Sequence, residues 1–360
     1  MRLLCRELAR EPGVEQVLVT KRGSELARRA ARDGVGVAEV PWTLTFDPRA
    51  SYALVELVLR FRPAIIHAHD AHSMRFAVGL AHGKLWRWYH PAGGAKPWYV
   101  RDWKDSRPRV VGTRRVDFHL RRPPRIARGL LGDSPWAQAD QLVAVSAAVK
   151  EVLVSDGIRV GEIVVIRDGI DPDEIRRAAA EPAHIRAFLH IPPDAPLAVN
   201  VAALVHHKDQ RTLIRAAHHA RTARPDLHWV IAGEGELRGS LTAEIARLGV
   251  ADRVHLLGYV DPADAVIREA DVFVMSSKEE GLGSVILNAL ALGKPVVATA
   301  AGGIPEIVPP EALVPVGDAE GLAGKVVAAL SHPASRILFP ERFTARAMAQ
   351  SVLALYRSLL

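Results

Sequence analysis

The sequence predicts an α/β protein of two doubly wound domains, each a parallel sheet with helices on both faces. Three observations carry that reading. Short β-branched runs alternate with segments of helical spacing along almost the whole chain. The 360 residues exceed what one compact core accommodates. Gly-bearing turns follow several of the apolar runs, as strand ends feeding crossover helices require.

The chain opens on Met1–Arg10, whose apolar residues are spaced for a helix. Strands are then expected at Val14–Thr20, Val35–Pro41, Ala64–His67, Arg109–Thr113, Gln141–Val145 and Ile163–Ile166. A second set is expected at Leu197–Val201, Trp229–Ala232, Val254–Leu257, Asp271–Met275 and Pro295–Thr299. Such short runs, separated by helical segments, demand crossover connections and therefore parallel pairing. Between the two sets, Asp168-Gly169-Ile170-Asp171-Pro172 reads as a hinge, with Gly and then Pro marking a turn. The expected domains are residues 1–170 and 171–344, with a polar segment, Asp173 to Pro193, leading into the second.

Composition narrows the class. Apolar content of 49% and charged content of 24% are those of a globular protein. No apolar run approaches the ~18 residues of a membrane span, and Arg2, Arg6, Glu7 and Arg10 interrupt any secretory core. The single cysteine, Cys5, excludes an internal disulfide and suits a reducing cytoplasm. Charge is uneven: residues 1–150 hold 26 Lys and Arg against 14 Asp and Glu, a balance of +12, while the remainder carries −5. A basic first half suits an anionic partner such as a membrane surface or a phosphorylated glycolipid. Nucleic acid is not expected, because no nucleic-acid motif accompanies the charge. An arginine-rich surface without a partner is the competing explanation.

Ser276 to Glu306 is the most informative stretch. A buried strand is followed by a glycine turn, a helix opening at Gly283-Ser284, a second strand and another glycine turn. The helix start presents unsatisfied N–H groups and the positive end of a dipole, an anion cradle. Glu280 stands one short turn before it. A carboxylate there repels bare phosphate but suits hydroxyls attached to one, which points to a nucleotide-sugar.

This segment resembles the donor-binding motif of retaining glycosyltransferases of family 4, which have the two-domain GT-B fold. Glu280-Gly281 supplies the first half of the motif, and Asn288-Ala289 stands where a second acid is usual. The resemblance implies two Rossmann-like domains facing a cleft, with a final helix, about 345–360, crossing back onto the first domain. Ala202 to Asp209 is similar to the family loop that clamps the donor diphosphate: Lys208 matches its Lys, and Ala203 occupies the position of its Arg. Glu280 is expected to bind hydroxyls of the transferred sugar, the backbone of Gly283 and Ser284 the distal phosphate, and Asn288 the ribose. Gly233-Glu234-Gly235 and Gly258-Tyr259-Val260 are expected to line the nucleotide base. G-x-G-x-x-G fails as a dinucleotide fingerprint, because Arg238 takes the third glycine position.

In the first domain, Arg115 stands where relatives keep an active-site His, with His119 further along; Arg115 is expected to meet donor phosphates or an anionic acceptor. His67 and His69 end a strand on one face, but no metal site is expected of them. Ser146 is expected to cap a helix, beside Lys150. Lys84 to Lys104 interleaves Trp86, Trp88, Trp98 and Trp103 with cations, which suits a membrane interface or a loop folded on its own domain.

The resemblance implies a cytoplasmic enzyme, peripheral to the inner face of the membrane. It implies transfer of a sugar from a nucleoside diphosphate-sugar to a glycolipid or glycan hydroxyl, with retention and without a metal or other cofactor. Two alternatives stay open: a non-catalytic nucleotide-sugar binder, favoured by Ala203 and Asn288, and a sugar-nucleotide epimerase. The family normally begins with a strand and a glycine-rich loop. Met1–Arg10 matches neither, so a shortened N-terminus is expected.

Overall fold

A computed structural model describes residues 1–42, 47–83, 107–116, 134–331 and 338–360. The aromatic stretch Lys84 to Lys104 and His119 lie outside them. The chain forms two compact units: one holds the described residues of 1–115, 119–167 and 345–360, the other those of 168–344 together with Val116.

The first unit runs α1 (Arg2–Leu8), β1 (Leu18–Lys21), α2 (Glu25–Arg32), β2 (Val37–Val40), α3 (Pro48–Phe61), β3 (Ile65–Ala68), α4 (Ala71–Ala81), β4 (Arg109–Arg114), β5 (Gln141–Ala144), α5 (Ala147–Ser155) and β6 (Ile163–Val165). Its helix starts are written in the sequence. Ser24, Asp47, Asp70 and Ser146 each accept a backbone N–H of the first turn, which stabilises a helix by about 1 kcal/mol per cap. Strands β3-β4-β5-β6 form one parallel sheet and β1-β2 another.

The strand expected from Val14 begins only at Leu18. Val14 packs instead with Leu4, Leu8, Met348 and Val352, and the Gln16 amide donates to the Cys5 carbonyl. This segment is therefore held against helices and makes no ladder.

The second unit runs α6 (Pro172–Ala178), α7 (Ile185–Phe188), β7 (Leu197–Val201), α8 (Gln210–Ala220), β8 (His228–Ala232), α9 (Arg238–Arg247), β9 (Val254–Gly258), α10 (Ala263–Arg268), β10 (Val272–Met275), α11 (Ser284–Ala291), β11 (Val296–Thr299), β12 (Leu313–Val314) and α12 (Ala319–Ser331). The last helix, α13 (Ala345–Leu359), belongs to the first unit and packs its Met348, Val352 and Leu353 against Leu4 and Leu8 of α1.

Residues 173–193, expected as a polar connection, contain α7 and all but the first residue of α6. Asp171 caps α6, with Pro172 at its first position. Ile185 is buried with Leu197 and Val230, and its N–H is taken by the Glu269 carboxylate at 3.0 Å.

The second sheet is parallel throughout, in the order β12-β11-β10-β7-β8-β9. Its strands read as continuous apolar runs because helices cover both faces; Trp229, Ile231 and Phe273 are fully buried. β7 and β10 pair only through Ala198–Val272 and Val199–Phe273. Beyond that point the Asn200 amide donates to the Val274 carbonyl at 2.8 Å, a side chain standing in for the ladder.

Candidate active site

Strand order reverses between β7 and β10, and an open α/β sheet offers its ligand crevice at the carboxyl ends flanking such a point. Lys208 ends the 3-10 turn that follows β7, and Glu280 lies in the loop from β10 to α11. Lys208 Nζ donates to Glu280 Oε2, with the two side chains 18% and 14% exposed. Burial to that degree spares the pair much of the solvent screening that weakens surface ion pairs.

Both loops are tied together around this pair. Ser276 Oγ donates to the Lys208 carbonyl at 3.1 Å, and the Lys278 N–H donates to the His207 carbonyl at 2.8 Å. Ser277 Oγ donates to Glu280 Oε2 at 3.3 Å, and the Gly303 N–H donates to the Glu280 carbonyl at 2.9 Å. Glu279, the neighbouring acid, is exposed.

α11 starts beside this cluster. Its N-cap is Gly283 at φ 84°, and no side chain caps it. A Cβ at Gly283 would stand 3.2 Å from Ile286 Cδ1 and 3.4 Å from Glu280 Cγ, so glycine serves both the left-handed backbone and the close approach of Glu280. Ser284 is exposed at the first helical position. The start of α11, Glu280 and Lys208 thus come together beyond the carboxyl ends of β7 and β10.

The glycines of the adjacent loops are structural necessities. A Cβ on Gly233 would lie 1.9 Å from the Ala202 carbonyl oxygen, and one on Gly235 would lie 2.4 Å from that of Leu204. Hydrogen bonds from Ala202 N to Ala232 O and from Leu204 N to Glu234 O lock these loops side by side. Gly258 joins them, its carbonyl accepting from the Gly233 N–H at 2.7 Å. Tyr259 is 74% exposed, whereas Val260 packs against the core of Val199, Val230 and Val266. Ala203 is exposed and presents only a methyl group.

Asn288, one turn into α11, donates from Nδ2 to Asp264 Oδ1 at 2.8 Å. Burial raises the pKa of Asp264, and the Asn288 hydrogen bond partly offsets this. Sequence reasoning passed over Asp264. Its only signal was an acid four residues beyond Val260, at the start of α10, and its proximity to Asn288 depends on how α10 and α11 pack.

Arg115 belongs to the first unit. It follows β4 and donates from Nη1 to His69 Nδ1 at 3.1 Å. Since a guanidinium can only donate, Nδ1 is an acceptor and His69 carries its proton on Nε2. His69 stacks on His67 with ring centroids 4.2 Å apart. His67 contacts Tyr356 Oη through Nδ1 and Thr113 Oγ1 through Nε2, both at 2.6 Å. Burial, followed by the Arg115 charge, pushes the His67 pKa down to about 3. Burial lowers that of His69 too, aided by His67 and then Arg115. Burial first, and then the neighbouring charge, keeps both rings neutral. Among the described residues, no group of three His, Cys, Asp or Glu side chains is placed to hold a metal ion, and no helix is long and apolar enough to cross a membrane.

Residues 1–174 match the model described as "Glycosyltransferase Family 4", and residues 183–347 match that of "Glycosyl transferases group 1". The chain belongs to the family 4 glycosyltransferases. Its fold is the GT-B class, built of two Rossmann-like units.

Among solved structures, the likeness of fold extends over 99% of this chain. The Anabaena protein Alr3699/HepE, solved in complex with UDP and glucose, aligns at TM-score 0.76 over 99% of this chain and 95% of its own, with 18% identity. A glycosyltransferase from Rickettsia africae aligns at TM-score 0.75 over 99% and 93%, also with 18% identity. Among curated family relatives, the lipopolysaccharide core biosynthesis glycosyltransferase LpsE of Rhizobium meliloti is 37% identical over 161 residues, 44% of this chain and 46% of LpsE. The 2-deoxystreptamine glucosyltransferase of Streptomyces kanamyceticus is 30% identical over 178 residues, 48% of this chain and 46% of that protein. The matched segments thus span a little under half of these two curated relatives.

Proposed function

We propose that this chain transfers a sugar from a nucleoside diphosphate-sugar to an acceptor hydroxyl, with retention of configuration and without a metal ion. The observation that carries the reading is Lys208 against Glu280 at the reversal of strand order, next to the uncapped start of α11. The names of LpsE and the aminoglycoside glucosyltransferase, and the UDP and glucose in the HepE complex, agree with it.

In this reading the donor diphosphate lies against the N–H groups at the start of α11. An ammonium has three donors, so Lys208 holds Glu280 with one and serves a phosphate with another. Glu280 accepts from hydroxyls of the sugar to be transferred. Asp264 and Asn288 together receive the ribose, and the turns at Gly233, Gly235 and Gly258 to Val260 receive the base. As the bond from C1 to the phosphate oxygen breaks, negative charge grows on the leaving diphosphate, where Lys208 and the helix dipole stabilise it. The acceptor oxygen bonds to C1 on the same face, and its proton passes to the departing phosphate oxygen. Arg115 serves the acceptor or the phosphates.

For the acceptor we propose a glycolipid or glycan of the cell envelope, met at the inner face of the cytoplasmic membrane. The +12 balance of residues 1–150 and the function named for LpsE support this. A thermal-shift screen of UDP-, GDP- and ADP-sugars identifies the donor, because ligand bound to the native state raises the melting temperature. Transfer from the stabilising donor, unchanged in EDTA, is the expected result; no stabilisation by any of them overturns the reading. The exposed Ala203, which contributes no cation, favours a second reading as a nucleotide-sugar binder without catalysis. Donor binding by calorimetry with neither transfer nor hydrolysis selects it.

A further inference from the structure

Two serines and a threonine next to the Lys208 and Glu280 pair are buried more deeply than the pair itself. Ser276 and Ser277 follow β10, Thr299 ends β11, and all three are fully buried. β10 and β11 run side by side, with Met275 opposite Ala298, so the three residues stand at neighbouring strand ends. A hydroxyl has one proton to donate, and each of these is committed. Thr299 Oγ1 donates to the Ser277 carbonyl at 2.6 Å, and Ser277 Oγ to Glu280 Oε2 at 3.3 Å. Ser276 Oγ donates to the Lys208 carbonyl at 3.1 Å. Up to this point both strands are apolar. Further apolar side chains would fill the same space without the desolvation that buried hydroxyls incur.

Glu280 Oε2 is contacted from two loops. Lys208 Nζ reaches it on a flexible four-carbon stem, and in the proposed transfer that ammonium also serves the donor phosphate. A carboxylate held by this partner alone is free to turn as the lysine answers the charge on the leaving diphosphate. Ser277 is a different kind of tether. Its side chain is short, its carbonyl is fixed by Thr299, and the Gly303 N–H holds the Glu280 carbonyl at 2.9 Å. The Ser277 contact with Oε2 owes nothing to the phosphate.

We propose, taking Glu280 as the group that accepts from the sugar's hydroxyls, that Ser277 is a positioning residue for the transferred sugar. It fixes the plane of the Glu280 carboxylate, and Thr299 in turn fixes Ser277. The site's grip is thereby divided. Lys208 and the start of α11 hold the diphosphate, while the series Thr299, Ser277, Glu280 holds the sugar. Removing the Ser277 hydroxyl weakens the second hold and leaves the first. A role in folding alone would weaken both together.

Calorimetry on the full 360-residue chain tests this, with UDP-glucose, GDP-mannose and ADP-glucose each set against its own nucleoside diphosphate. Ser277→Ala is expected to bind the nucleotide-sugar about tenfold more weakly. That is the low end for a hydrogen bond to a charged group, because 3.3 Å is long for one. Binding of the nucleoside diphosphate should stay within about twofold of the wild type. Thr299→Val is expected to show the same split at about threefold, and Thr299→Ser, which keeps the hydroxyl, to match the wild type. In a Glu280→Ala background, Ser277→Ala should add no loss, since both act through one carboxylate. Equal losses for nucleotide-sugar and diphosphate, or full additivity with Glu280→Ala, overturn the proposal. So does a Thr299→Ser variant as weak as Thr299→Val. Unchanged sugar binding in Ser277→Ala beside a loss in Glu280→Ala overturns it too, but leaves the Glu280 assignment standing. If neither single variant loses affinity, or none of the three nucleotide-sugars binds, both fall.

Discussion

Asn288 Nδ2 and Asp264 Oδ1 are joined by a 2.8 Å hydrogen bond between α11 and α10. The pair supplies a carboxylate at the place where the family motif carries its second acid, using a residue 24 positions away. Substituting Asn288→Asp would set two carboxylates against each other, and like charges at this distance cannot both ionise cheaply. The variant is expected to lose about 1–3 kcal/mol at pH 7.5 and to regain most of it below about pH 5, where the pair shares a proton. Urea denaturation at the two pH values measures this.

The ion pair of Lys208 with Glu280 gives the sharpest test of the site. Lys208→Ala and Glu280→Ala are each expected to lower kcat/KM by about 10²–10³, the usual loss when a group aimed at developing charge is removed. The melting temperature should fall by only a few degrees, because both side chains retain contact with solvent. Unchanged turnover in both variants would refute the assignment.

Ala203 is exposed between β7 and the Lys208 turn. Ala203→Arg adds a guanidinium suited to bidentate contact with phosphate. Donor affinity measured by calorimetry is expected to rise about fivefold to tenfold, roughly 1 kcal/mol. The gain should shrink with added salt, as a partly exposed charge requires.

Gly233 leaves no room for substitution. A Cβ there would fall 1.9 Å from the Ala202 carbonyl oxygen, which is backbone and cannot swing aside. Gly233→Ala is expected to cost more than about 3 kcal/mol, within the range of severe core and backbone disruption. Loss of soluble protein, or a melting temperature lowered by several degrees or more, checks it.

The buried His67 ties stability to acidity. Its folded pKa of about 3 lies below the ordinary value of 6.5, so between those values the unfolded chain binds a proton that the native one refuses. Stability therefore falls as the pH drops from about 6.5 toward 3, and is unaffected by this group above that window. At pH 5 the cost is about 2 kcal/mol. Replacing His67→Gln is expected to flatten this acid limb, read by melting temperature between pH 5 and 7.

The second unit was legible because its strands, buried on both faces, are uninterrupted apolar words such as Trp229–Ala232 and Val272–Met275. Gly233, Gly235 and Gly283 could be picked out as turns at strand ends, though only the coordinates show which carbonyl or side chain each one admits. Val14 was misread because an apolar residue beneath a helix and one in a strand look alike over so short a run. Asp264 was invisible for another reason. Its partner depends on tertiary packing of two helices, which local periodicity does not encode.

The placement of α13 has a consequence for biosynthesis. Leu4 and Leu8 find Met348, Val352 and Leu353 only after more than 300 intervening residues have been made. The second unit, which ends at Thr344, can complete its core first. Closure of the first unit's core thus waits for the second unit to be made, and α1 stays open to chaperones and proteases until α13 has emerged.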